Sequence, residues 1–224
     1  MTKKLLVTIP HFCAPSDSPN NAAANQTAYG SVAGSPARRI QAFQECLDQL
    51  ARTFAYPAYA LDNRTGLIGS AAFILPPEWD VEILICVHEE NHLIDSVRLP
   101  TQANVIQVGG LPQELGFACH REMASRFQTC DLLCYLEDDI VITDPSFFGK
   151  HVWFHKLVND GAIVQPNRFD VDGDWRKVYV DGPLPKRHVM RYADLKVQSE
   201  LTAEYGSRRI RFMRPSNLMS AFFF

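Results

Sequence analysis

Three consecutive acids, Glu137-Asp138-Asp139, sit between two apolar runs, Leu132 to Leu136 before them and Ile140 to Ile142 after. Carboxylates held this close repel one another, and a hard divalent cation with oxygen ligands is the simplest partner that offsets the repulsion. Two other groupings have residue types suited to chemistry. His88-Glu89-Glu90-Asn91-His92 spells H-E-x-x-H. On a helix this spacing puts two imidazoles on one face for zinc and a glutamate in place as general base, with Glu114 downstream as a third ligand. Asp170, Asp172, Asp174 and Asp181 fall in a stretch rich in glycine and basic residues. There a carboxylate could serve as a general base, or the acids could simply build a polar loop.

The surrounding elements have to position these groups. Leu5 to Ile9 is apolar and partly β-branched, stops at Pro10, and suits a buried strand. The stretch from Pro10 to Gly34 has no periodicity and reads as a long loop. Ser35-Pro36 then supplies an N-cap and an N1 proline for a helix, whose apolar positions Ile40, Phe43, Leu47, Leu50 and Phe54 follow helical spacing. A turn is expected at Asp62 to Gly66, a strand covered on both faces at Val81 to Val87, and a short helix from about Asn91 to Val97. Further on come a strand at Asn104 to Val108 and a helix over Glu114 to Thr129. The acidic strand follows, then a helix capped at Asp144-Pro145, and a strand at Ala162 to Val164. Strands alternating with helices predict an α/β fold, with a mostly parallel central sheet and helices on both faces.

After Pro166 the texture changes, so within a single domain residues 1–165 read as the α/β region and 166–224 as a partial region. In the latter, Arg209-Ile210-Arg211-Phe212 alternates like a half-exposed strand. The final Phe222-Phe223-Phe224 suits a strand packed into the body, or a chain cut short of its natural length.

Composition narrows the function. The chain has 224 residues, 46% of them hydrophobic, so a sizeable core is available. A formal net charge of -3 gives no basic excess for bulk nucleic-acid binding. Six scattered cysteines without a C-x-x-C pair read as buried free thiols of a reducing compartment. The short apolar run after Lys3-Lys4 is too brief for a signal peptide or a membrane span, and no later stretch spans one. These features predict a cytoplasmic protein, with room for association at a membrane surface.

The zinc reading requires its motif inside a helix. The apolar, β-branched run Val81 to Val87 instead predicts a strand ending at His88. E-D-D could also be the acidic pocket of a phospho-acceptor receiver module with Asp181 as acceptor. Such a pocket opens its domain on the first strand, whereas here well over half of the chain comes first. Basic residues cluster at Arg38-Arg39, His120-Arg121, Lys186-Arg187-His188 and Arg208 to Arg214. Arg121, on the helix leading into the acidic strand, is the one expected to serve a site, and the others are expected on solvated surface. Trp153 reads as a core aromatic, and Trp175 as a loop aromatic able to stack on a sugar.

A strand ending in a D-x-D-like cluster, after a strand-loop-helix unit and before a capped helix, resembles the GT-A superfamily of glycosyltransferases. The residues that carry the likeness are L-L-V-T-I-P-H-F at 5–12, V-E-I-L-I-C-V at 81–87 and C-Y-L-E-D-D-I at 134–140. The resemblance implies a nucleotide-diphosphate sugar as donor, Mn2+ or Mg2+ as cofactor and a glycan, lipid or small molecule as acceptor. It implies that Asp139 holds the metal, with Glu137 beside it as second ligand or near the ribose, and that Asp138 faces solvent or the donor. Pro10, His11 and Phe12 would border the base, and Arg121 would meet the diphosphate. Asp170, Asp172 or Asp181 would supply the acceptor-side base. The metal would neutralise the diphosphate leaving group. A non-catalytic nucleotide-sugar-binding protein of the same fold is the alternative, beside the zinc hydrolase.

Overall fold

The computed structural model describes residues 2–13, 36–71, 78–89, 91–158, 164–180, 200–213 and 222–223. They form two compact units, one of residues 1–147 with 223–224, the other of residues 148–222. Among the described residues no helix is long and apolar enough to cross a membrane.

The first unit is built on parallel strands. β1 (Lys3–His11) pairs in parallel with β4 (Trp79–His88) on one side and β6 (Leu132–Leu136) on the other, while β5 (Ala103–Val108) extends the sheet beyond β4. The full order is β11-β6-β1-β4-β5, with β11 formed by Phe222–Phe223. Phe222 and Phe223 thus lie in a strand of the central sheet. Leu5, Leu6, Val7, Thr8 and Ile9 are all buried, as expected of a strand covered on both faces.

Each face has its own helix. α1 (Pro36–Leu50) buries Phe43, Cys46, Leu47 and Leu50, and its hydrogen-bond and ring contacts lead to Glu137 and His11. α2 (Leu115–Arg126) covers the opposite face, where Leu6 and Leu84 meet Met123 and where Cys86 meets Leu115 and Cys119. After α1 the backbone continues as a π-helical turn, Ala51–Ala55, which keeps Phe54 buried. The turn expected at Asp62 to Gly66 joins an exposed hairpin of β2 (Tyr59–Leu61) and β3 (Ile68–Ser70).

Two local expectations need correction. Pro10 does not end β1, which runs on to His11 with Pro10 opposite Cys86. Pairing with β6 has already ended at Thr8, so one side of the strand end is open, and a missing N–H there costs no ladder bond. The helix expected from Asn91 is only a 3-10 turn at Ile94–Ser96. The Asn91 N–H bonds back to the His88 carbonyl at 2.8 Å and its side-chain amide donates to His88 Nδ1 at 3.4 Å, which holds the start of the segment in a turn.

In the second unit, α3 (Phe147–Val158) buries Phe148, His151 and Phe154. β7 (Phe169–Val171) pairs with β8 (Lys177–Tyr179), and β9 (Glu200–Tyr205) with β10 (Arg208–Met213), each pair antiparallel. The alternation at Arg209 to Phe212 is a strand as expected: Phe212 approaches Phe154 at 4.8 Å and Trp153 at 6.1 Å between ring centroids. The strand expected at Ala162 to Val164 falls largely outside the described residues.

His151 makes the second unit acid-sensitive. Burial, with repulsion from His155, pushes its imidazole down to about 4 from the ordinary 6.5. The unfolded chain therefore takes up a proton as the pH falls through 6.5, while the folded chain refuses it until about 4. The stability present above pH 6.5 is lost across that window, by about 3 kcal/mol in all. Urea midpoints measured between pH 7 and pH 4.5 should fall steeply in the wild type. His151→Leu should flatten that limb, and an unchanged slope would remove His151 as its cause.

Candidate functional site

The chain runs outward from β1 to β4 and β5, then returns to the other side of β1 as β6. The strand order therefore reverses between β1 and β6. In parallel sheets of this kind, ligands bind outside the carboxyl ends of the strands at such a reversal. The two strand ends that meet there carry His11-Phe12-Cys13 and Glu137-Asp138-Asp139.

The acids turn immediately after β6. The Ile140 N–H donates to the Glu137 carbonyl at 3.2 Å, so Asp138 and Asp139 are the central residues of a tight turn. Their environments then diverge. Asp138 is 6% exposed, whereas the side chain of Asp139 is 47% exposed. The expectation that Asp138 faces solvent is thus reversed, because the turn sends one carboxylate inward and the next outward.

Asp138 is held by two partners from elements far away in sequence. Arg39, in the first turn of α1, clamps it with one guanidinium nitrogen at 2.8 Å from Oδ1 and 2.7 Å from Oδ2. Its other terminal nitrogen reaches Asp139 Oδ2 at 3.4 Å. His11, fully buried at the end of β1, lies 2.5 Å from Asp138 Oδ2 through Nδ1. Nε2 of the same ring accepts the Leu93 N–H at 3.0 Å. Because Nε2 accepts, the ring proton sits on Nδ1 and is donated to Asp138. Phe43 stacks on the His11 ring at 4.1 Å and 11°, which fixes its plane.

A further tie comes from Cys46 of α1, whose thiol donates to the Glu137 carbonyl at 3.9 Å. Burial pushes this thiol well up, and the nearby Asp138 and Asp139 carboxylates push it further, so it stays a neutral donor. Cys13 is raised in the same sense, by burial first, with Arg39 opposing and Asp138 adding.

The other strand ends are joined to this array. The Cys13 N–H donates to the Asn91 carbonyl at 3.0 Å, and the Phe12 ring meets His88 edge-on at 5.7 Å. His88 donates through Nε2 to the Gly110 carbonyl at 2.9 Å, linking the ends of β4 and β5. His88 is the last residue of β4, and Glu89 follows with φ +39°. His88 and His92 therefore do not share a helix face, in agreement with the strand expected there. The Glu114 carboxylate accepts the Leu111 N–H at 3.4 Å and so caps the 3-10 turn Pro112–Glu114 that leads into α2. Among the described residues no group of three or more His, Cys, Asp or Glu side chains is arranged to hold a metal ion.

The remaining predicted residues lie elsewhere. Arg121 is exposed midway along α2, and the guanidinium that meets the acids is that of Arg39. In the second unit, Asp172 builds the β7–β8 turn by accepting the N–H groups of Asp174 at 3.0 Å and Arg176 at 2.9 Å. Asp170 is exposed on β7, and Trp175 is 87% exposed with φ +62°. Asp181 and the Lys186-Arg187-His188 cluster lie outside the described residues.

Sequence reasoning missed Arg39, assigning it to solvated surface, although its side chain is 14% exposed. A signal was present. Arg39 precedes Phe43 by four residues and Cys46 by seven, so it stands on the buried stripe of its helix. A charge on such a stripe calls for a buried partner.

No protein-family model matches the chain, and no curated protein matches it either. The fold is a Rossmann-like α/β architecture with a parallel core sheet, compatible with the GT-A superfamily though not specific to it.

Proposed function

We propose that the protein binds a nucleotide-diphosphate sugar across the ends of β1 and β6 and transfers the sugar to an acceptor. The observation that carries this reading is the coincidence of the acidic turn with the reversal of strand order, opposite His11-Phe12-Cys13. An acidic turn elsewhere on the sheet would be ordinary surface.

The donor set fits a metal that arrives with phosphates. Magnesium and manganese sites at nucleotides use one or two protein carboxylates, with phosphate oxygens and water completing the shell. Asp139, half-exposed, and Glu137, partly buried, are suited to that role, and Asp138 is already engaged. Bound there, the ion would neutralise charge on the diphosphate. Pro10 and Phe12, at the end of β1, supply an apolar border for the base. Arg39 adds a fixed cation beside the acids. In the hairpin of the second unit Asp170 and Asp174 are exposed, and Asp172 is committed to the turn.

Calorimetry with a panel of nucleoside diphosphates and their sugars, with and without manganese, tests the proposal. Binding that strengthens at least tenfold with manganese is expected for one nucleotide class. Absence of metal-dependent binding to every member would sink it. Donor hydrolysis in the same samples separates an enzyme from a non-catalytic binder.

A further inference from the structure

We propose that Arg39 is the built-in counter-ion of the acidic turn, closing Asp138 to metal so that a divalent cation binds tightly only together with a ligand's phosphates. The inference rests on the reading of this turn as the donor site, but its test does not use a donor.

Three adjacent carboxylates in one turn would ordinarily attract a cation from solution. Here the cation is covalently part of the chain. Arg39 places one nitrogen on both oxygens of Asp138, at 2.8 and 2.7 Å, and the other 3.4 Å from Asp139. His11 takes a further position on Oδ2 at 2.5 Å. Of the roughly four lone-pair sites on a carboxylate, three on Asp138 are already occupied. A metal ion binding there would have to displace a guanidinium that is itself largely buried.

The array is also rigid. His11 is anchored at its far nitrogen by the Leu93 N–H and on its face by Phe43. The Glu137 carbonyl is held by Cys46. Asp138 therefore cannot swing outward to join Glu137 and Asp139 without breaking several contacts at once. The Nε of Arg39 is buried with no hydrogen-bond partner among the described residues. A buried donor of this kind is suited to an incoming oxygen, and the phosphates of a ligand supply such acceptors. A planar fork is needed to span both carboxylates, which a lysine cannot do.

The test titrates the full chain with Mn2+ alone, no nucleotide present, following the free ion by electron paramagnetic resonance. Asp138→Asn is expected to leave the affinity of the free protein within about twofold of wild type, since Asp138 contributes nothing to metal binding there. Arg39→Gln, shown folded by circular dichroism, is expected to bind Mn2+ at least tenfold tighter, and Arg39→Gln/Asp138→Asn to lose that gain. A tenfold weakening in Asp138→Asn, or an unchanged affinity in folded Arg39→Gln, overturns the proposal. If Arg39→Gln does not fold, wild type against Asp138→Asn decides by itself. Failure of the nucleotide-sugar reading would show separately, as no nucleotide diphosphate bound with manganese.

Discussion

Asp138→Ala lowers the unfolding free energy by about 3–5 kcal/mol, whereas Asp139→Ala, one residue along, changes it by less than about 1 kcal/mol. Asp138 is the shared acceptor of Arg39 and His11, and all three side chains are largely or fully buried. Its removal leaves a guanidinium without its partner and a buried imidazole N–H without an acceptor, each of which carries a desolvation penalty. The methylene stem of Arg39 and the stacked Phe43 remain, so the loss is electrostatic more than one of packing. Asp138→Asn keeps one good acceptor and the shape, and should fall between the two alanine variants. Asp139 meets Arg39 at 3.4 Å from a half-exposed position, where solvent screens the pair. Urea denaturation of the three variants at pH 7 measures the ranking. Equal losses in Asp138→Ala and Asp139→Ala would show that the clamp does not hold the turn.

Asp139, the lesser residue for stability, becomes the greater one when ligand binding is measured. Asp139→Asn is expected to weaken manganese-dependent binding of the nucleotide diphosphate by about 100-fold, and Glu137→Gln by about 10-fold. Binding in metal-free buffer should stay close to wild type in both. A bound ion adds several kcal/mol of charge stabilisation to a diphosphate, and most of that is lost when its principal carboxylate becomes an amide. Asp139 carries the larger share because its carboxylate opens outward from the turn while Glu137 is partly covered. Because even Asp139→Ala is expected to be nearly neutral for stability, a loss of binding in Asp139→Asn cannot be blamed on unfolding. Wild-type affinity in Asp139→Asn with manganese present would remove that residue from the metal's ligands.

Much of the fold could be read directly. Near-continuous apolar runs at Leu5 to Ile9, Val81 to Val87 and Leu132 to Leu136 have almost no polar face to give to water, which suits interior parallel strands. Helical spacing from Phe43 to Leu50 and from Leu115 to Met123 required helices against that sheet. The H-E-x-x-H motif could be set aside on the same grounds, since β-branched residues run up to its first histidine and continue the strand.

Most strands and helices, and the place of the acidic turn at a strand's carboxyl end, were legible because hydrophobic period and turn chemistry are local properties. The different environments of the acids follow from long-range contacts. Asp138 and Asp139 are indistinguishable as letters. They differ because Arg39 and His11, about a hundred residues away in the chain, converge on the inward-facing one. The reversal of strand order between β1 and β6 was likewise invisible, since the order of strands in a sheet is a long-range choice that no periodicity encodes. The cation expected from solution proved to have a competitor on the first turn of α1. Charge neutralisation depends on distance in space, and that distance is what folding sets.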